Sequence, residues 1–120
     1  MVNLELWNLE TKVIGNLKMA DRFGSRLLGY MFRKSPHYEA ILLTPCNSIH
    51  CLFMRFPIDV LFLDGENRVL RKVEGLRPWR LAGPVAGARS VVETRAGGFR
   101  EVLVGDTITV RPAEGTGRDL

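Results

Sequence analysis

Ile58-Asp-Val-Leu-Phe-Leu-Asp-Gly-Glu-Asn-Arg-Val-Leu-Arg-Lys-Val73 is the stretch that decides the fold class. Residues 58–63 form a short apolar run of branched and aromatic side chains, the composition of a buried strand. Asp64-Gly65-Glu66-Asn67 carries hairpin-turn chemistry, so residues 68–73 are expected to return antiparallel to the run before them. Pro57 has no amide hydrogen for a ladder and belongs at a strand start or a bulge. Two sheet strands and their turn are therefore legible without any longer-range information.

Working outward, residues 49–54 and 40–43 read as further strands, the latter closed by Thr44-Pro45. Residues 2–7 and 11–18 read as two strands around Asn8-Leu-Glu-Thr11, with Gly15-Asn16 marking a turn or bulge. Asp21 can cap a helix in which Phe23, Leu27, Leu28, Met31 and Phe32 share one face. Gly24 and Gly29 weaken that helix by ~1 kcal/mol each, so packing has to hold it. Lys34-Ser-Pro-His37 ends it as a loop. Beyond the hairpin, residues 75–85 are irregular, 88–94 form a strand, 99–104 a single helical turn and 107–111 a last strand. The fold class that follows is α+β and β-rich. It is a single small domain over residues 1–111 of mainly antiparallel strands, with a curled barrel as one arrangement and one or two short helices. Residues 112–120 lack apolar content and are expected to be a disordered tail.

A chain of 120 residues suits one domain and needs no disulfide or metal staple. No apolar run reaches the ~20 residues of a membrane-spanning helix, and residues 1–7 do not resemble a secretory signal. The expected location is the cytoplasm, where Cys46 and Cys51 stay reduced. Arginine supplies 13 of the 17 basic residues, and the net charge is +4. The excess is spread along the chain, so a nucleic-acid partner is not favoured. Arg71, Arg77, Trp79 and Arg80 make the best basic-aromatic patch for single strands or a partner, and they read more simply as solvated surface.

Chemistry concentrates in residues 44–64, where Cys46, Asn47, His50, Met54, Arg55 and Asp59 sit among apolar neighbours. Polar groups carried out of water need partners. Cys46 and His50 are the catalytic candidates, since histidine can activate a thiol when local structure brings the two together. On an extended strand, four residues separate side chains by ~13 Å, whereas a turn brings them close. Asp59, or Glu93 across the sheet, would orient the histidine. The alternative is a structural thiol beside a hydrogen-bonded histidine. Cys46, His50 and Cys51 are zinc-type ligands, with His37 a distant fourth. Adjacent positions on a strand face opposite ways, however, so no metal site is assigned. Arg55 and Asp59 flank the Phe56-Pro57 bend as a possible ion pair, and the structural role is favoured for Asp59.

The chain also resembles a bacterial and archaeal family, domain of unknown function 192, from about Ala20 to Val110. The resemblance rests on Leu28-Gly-Tyr-Met-Phe-Arg33, Phe53-Met54 and Pro57-Ile-Asp-Val-Leu-Phe-Leu-Asp64. It continues through Arg68-Val69, Val91-Val92-Glu93, Ala96-Gly97 and Val104-Gly-Asp106. Tyr30, Thr94-Arg95 and Phe53-Met-Arg-Phe56 depart from the usual pattern, and the chain looks like the branch carrying Thr44-Pro-Cys-Asn-Ser-Ile-His50. The resemblance implies a compact β-rich domain and supplies no reaction, cofactor or substrate. It also favours Met31, Met54, Asp59 and Glu93 as parts of any pocket shared across the family.

The functional expectation is a non-enzymatic module for a small molecule or peptide, with no cofactor. Met31, Cys46, Asn47, His50, Met54 and Asp59 would line its pocket. A peptide would add to a free strand edge. The rivals are a thiol-dependent enzyme using Cys46 with His50, and a basic surface for nucleic acid or another partner.

Overall fold

The structure, a computed structural model, describes residues 4–20, 39–50 and 56–112, with the backbone alone for Ala20, Ile49 and His50. All six residues of the run at 58–63 are buried in a strand. At the turn that follows, Asp64 Oδ1 accepts hydrogen bonds from the Glu66 and Arg68 amides at 2.8 and 2.9 Å. Asn67 takes a left-handed φ of 63° and donates its amide to the Asp64 carbonyl. Asparagine tolerates that conformation and aspartate satisfies the turn amides, which is why this segment reverses the chain. These amide hydrogen bonds, that of Arg68 first, hold the Asp64 carboxyl below its usual range.

The strands among the described residues are β1 (Leu4–Asn8), β2 (Thr11–Ala20), β3 (Ala40–Leu43), β4 (Ile49–His50), β5 (Ile58–Leu63), β6 (Val69–Leu76), β7 (Leu81–Ala82), β8 (Ser90–Arg95) and β9 (Ile108–Pro112). Seven form one sheet in the order β6-β5-β8-β3-β2-β1-β9, and β4 pairs with β7 in a separate ribbon. The β2–β3 pair is parallel; every other neighbouring pair in the large sheet is antiparallel. The domain is thus β-rich and mainly antiparallel.

Bulges curl the sheet, because an extra residue on one strand sharpens its local bend and twist. In β6, Leu76 faces Ile58 while Val73 faces Val60, and a second shift lies between Phe62 and Leu63. The β1–β2 pair has two more, one of them at Gly15-Asn16. The curl brings the outermost strands together at Arg68 and Thr107. Amides of Val69 and Ile108 donate to the carbonyls of Asp106 and Asn67 at 2.8 and 2.9 Å, and Gly105 donates to Val69. The sheet is a curled half-barrel whose edges touch at one point. Past that contact, Lys72 reaches the Phe99 carbonyl at 3.1 Å from the β6 side, and Pro112 blunts the end of β9.

Two apolar clusters occupy the two faces. One includes Leu6, Ile14, Ala40, Leu61, Val69, Val92 and Ile108, with Phe99 and Val102 inserted. It draws on every strand of the large sheet and fills the inside of the curl. The other joins Ile41, Leu43, Ile58, Val60, Phe62 and Val91 to Ala82 and Ala88, and lies on the outside. Alternation along each strand explains the division: 58, 60 and 62 point outward while 59, 61 and 63 point inward.

No helix occurs among the described residues. The helical turn expected at 99–104 is a series of isolated turns, with Val102 donating to Phe99 and Asp106 to Leu103, each at 3.0 Å. Gly97 and Gly105, at φ of 95° and 98°, bound the segment with backbone that a right-handed helix cannot use. Phe99 and Val102 are fully buried and act as anchors for the loop. The helix expected from Asp21 lies outside the described residues.

Candidate functional site

The segment Thr44–His50 leaves the end of β3 and runs along a second loop, residues 81–89. Backbone hydrogen bonds fasten the two: the Cys46 amide donates to the Arg89 carbonyl at 3.0 Å, and the Val85 amide to the Asn47 carbonyl at 2.9 Å. Ile49 and His50 then pair with Ala82 and Leu81. Gly83 makes the close approach possible. A Cβ there would meet the Asn47 carbonyl oxygen at 2.7 Å and Ser48 Cα at 2.9 Å, and its φ is +89°. The second loop is itself pinned to the sheet by the Arg89 amide, 2.7 Å from the Leu63 carbonyl. Ser90 Oγ donates to Thr44 Oγ1 at 3.0 Å, closing the base of the pair.

Between the loops lies an open hollow of about 240 Å³ lined by Pro45, Cys46, Asn47, Ala88 and Arg89. It is smaller than the roughly 300–1,000 Å³ of pockets for drug-sized ligands. Ala88 and Cys46 join its floor to the outer apolar cluster. Cys46 is half-buried, and its Sγ donates to the Ser48 carbonyl at 2.9 Å. Asn47 and Arg89 are exposed at the rim. The described atoms thus offer a thiol, a carboxamide with both hydrogen-bond senses and one cationic side chain.

Glu93 lies on the same outer face, between Ile41 on β3 and Val60 on β5. It is 4% exposed, and burial pushes its carboxyl up to about 8. Along β8 it stands four residues from Arg89, ~13 Å at strand spacing, so it underlies the hollow at a distance. Asp59 belongs to the opposite face, with Leu61 and Leu63. It is 1% exposed, and its two oxygens accept the Gly75 and Gly97 amides at 2.8 Å each. Gly75 is the left-handed residue of the β6 bulge and Gly97 that of the turn after β8. Asp59 therefore braces two irregular backbone segments, and the sheet separates it from Cys46.

Residues 7–110 match the profile of the family called domain of unknown function 192, described as an uncharacterized ACR. The chain belongs to this family. Among its relatives, a UPF0127 protein of Pyrococcus horikoshii is 43% identical over 84 residues, covering 66% of this chain and 71% of the relative. A UPF0127 protein of Pyrococcus abyssi is 39% identical over 102 residues, or 78% of this chain and 85% of its own. A crystal structure of a protein of unknown function from Novosphingobium aromaticivorans is similar with a TM-score of 0.75 at 16% identity, covering 89% of this chain and 83% of that one. That likeness shows the fold.

The family segment contains both loops of the hollow. Of the residues singled out from sequence, the structure brings Cys46 and Asn47 to the hollow and places Asp59 behind the sheet. For His50 it describes the backbone, two positions beyond Ser48 on β4. Met31, His37, Cys51, Met54 and Arg55 lie outside the described residues. Among those described, no group of three or more His, Cys, Asp or Glu side chains is arranged to hold a metal. Arg71, Arg77, Trp79 and Arg80 are all exposed. The second wall, Gly83 to Arg89, was missed. Its signal was Gly83-Pro84 and Gly87 among small residues, a composition that marks a fitted loop as readily as a loose one.

Proposed function

We propose that the domain is a non-enzymatic binding module that takes a small polar ligand, or the polar end of a peptide, between its 45–47 and 88–89 loops. The observation that carries this reading is the fastening of the two loops around one opening that gathers Cys46, Asn47 and Arg89 over an apolar floor. Preorganised backbone around a few convergent polar groups lowers the ordering cost of binding. Asn47 can accept from and donate to a ligand, and Arg89 favours an anionic end such as a carboxylate. The volume suits an amino acid or a short organic acid. The Cys46 thiol donates its hydrogen to the Ser48 carbonyl beside the opening. Met31, His50 and Met54 are the further lining residues in this reading, while Asp59 and Glu93 hold the sheet behind the opening.

Calorimetric titration with a panel of small carboxylic and amino acids tests the proposal. At least one member should bind, and Asn47→Ala and Arg89→Gln should each weaken it by about tenfold, the worth of one good polar contact. Absence of binding at millimolar concentration, or binding indifferent to both substitutions, would overturn it.

A further inference from the structure

The large sheet ends at β6, and the contact that curls it shut is brief. Val69 donates its amide to Asp106 and accepts the Gly105 amide, each at 2.8 Å. From Leu70 onward, β6 pairs in the large sheet with β5 alone among the described residues. The direction of its remaining backbone groups follows from β5. The Leu63 carbonyl accepts the Arg89 amide on the β8 side, and the Asp64 amide donates to Arg68 on the β6 side. Alternation then turns the backbone groups of Val60 and Phe62 toward β6, where Val73 and Arg71 face them. Lys72 and Glu74 therefore turn their amides and carbonyls away from the sheet, and no backbone hydrogen bond among the described residues takes them up.

Charge identifies the occupant. Proline or charge of one sign commonly keeps an edge strand from pairing, and Pro112 serves β9 in this way. In contrast, β6 holds no proline, and its charges complement themselves. Lys72 and Glu74 share one face, with Nζ 3.8 Å from Oε2. Arg71 and Glu74 are exposed and Val73 is half-buried. We infer that β6 pairs antiparallel with β6 of a second copy, about a two-fold axis through Val73. Lys72 then lies opposite the partner's Glu74, and Glu74 opposite the partner's Lys72, each pair exchanging both main-chain hydrogen bonds. Val73 meets the partner's Val73 on the other face. An axis through Lys72 or Glu74 would oppose like charges, and an axis between two residues would set opposite faces against each other. Backbone direction, face and charge thus select the same register. The edge is short, so the dimer is weak and reversible.

Sedimentation velocity of the full chain from about 10 μM to about 1 mM tests this inference, the range in which a small interface exchanges monomer and dimer. The sedimentation coefficient should rise with concentration toward that of a dimer. Amide hydrogen exchange should slow at Lys72 and Glu74 over the same range. Glu74→Lys and Lys72→Glu should each weaken association by about tenfold, because like charges then oppose each other across the axis. An equimolar mixture of the two variants should associate again, since the lysines of one strand then face the glutamates of the other. Unchanged melting curves would establish that the variants are folded, and the exchange measurement on the parent chain does not depend on them. A monomer at every concentration would overturn the inference, as would a dimer whose protected amides lie away from β6. So would association indifferent to both charge reversals, or a mixture of folded variants that fails to recover it.

Discussion

Replacing Glu93 by glutamine should stabilise the protein at neutral pH and remove the fall in stability that the buried carboxyl imposes as pH rises from about 4.5 to about 8. Glu93 is 4% exposed, flanked by Ile41 and Val60, and burial raises its carboxyl from 4.5 to about 8. Between those two values the folded protein keeps a proton that the unfolded chain releases. The native state then binds more protons than the denatured state, so stability falls as pH rises. One pH unit corresponds to about 1.4 kcal/mol, and the window spans three and a half units, for a total on the order of 5 kcal/mol by pH 8. At pH 7 the loss relative to acid conditions is about 3 kcal/mol, a large share of the roughly 5–15 kcal/mol that holds a domain together. Glutamine has nearly the same shape and no charge to bury. Glu93→Gln should therefore match the parent near pH 4.5 and exceed it by about 3 kcal/mol at pH 7. Guanidinium denaturation at a series of pH values, read by far-ultraviolet circular dichroism, measures both curves. Parallel curves for the two proteins would refute the reasoning, because the slope would then belong to other groups.

Two further substitutions test the elements that hold the site. Asp59→Ala should destabilise the protein by about 2–4 kcal/mol, since the Gly75 and Gly97 amides would each lose a part-buried hydrogen bond to a carboxylate. A loss below about 1 kcal/mol in chemical denaturation would show that those amides find water instead. Gly83→Ala should cost about 2–4 kcal/mol, combining left-handed backbone strain with a Cβ driven against Asn47 and Ser48. The same variant should speed alkylation of Cys46, because its half-buried thiol is held between the loops that Gly83 keeps together. An unchanged alkylation rate would mean that the loops are fastened elsewhere.

The strands were legible where local chemistry alone determines them. The hairpin from Ile58 to Val73 needs only its apolar run and the Asp64 and Asn67 turn residues, and the Gly15-Asn16 irregularity announces itself by composition. The two-residue pairing of β4 with β7 was not legible, because nothing in Leu81-Ala82 distinguishes a strand from a loop; only its contact with Ile49 and His50 makes it one. The single helical turn expected at 99–104 does not form, because Phe99 and Val102 serve as separate anchors between glycines with left-handed backbone. At the site, the polar residues of 44–50 stood out against an apolar background. Their opposing loop did not, since Gly83 to Ala88 carries no reactive side chain and contributes shape. Asp59, expected in one pocket with Cys46, faces the other side of the sheet, because odd and even positions of β5 point opposite ways.

An amide chemical-shift map of the isotopically labelled chain, titrated with the carboxylic or amino acid that binds best, tests the central claim most directly. The account predicts saturable shifts concentrated in Cys46, Asn47, Ala88 and Arg89, with the inner-face residues around Leu61 and Phe99 unmoved. Shifts centred on the inner face, or on a surface remote from both loops, would contradict it.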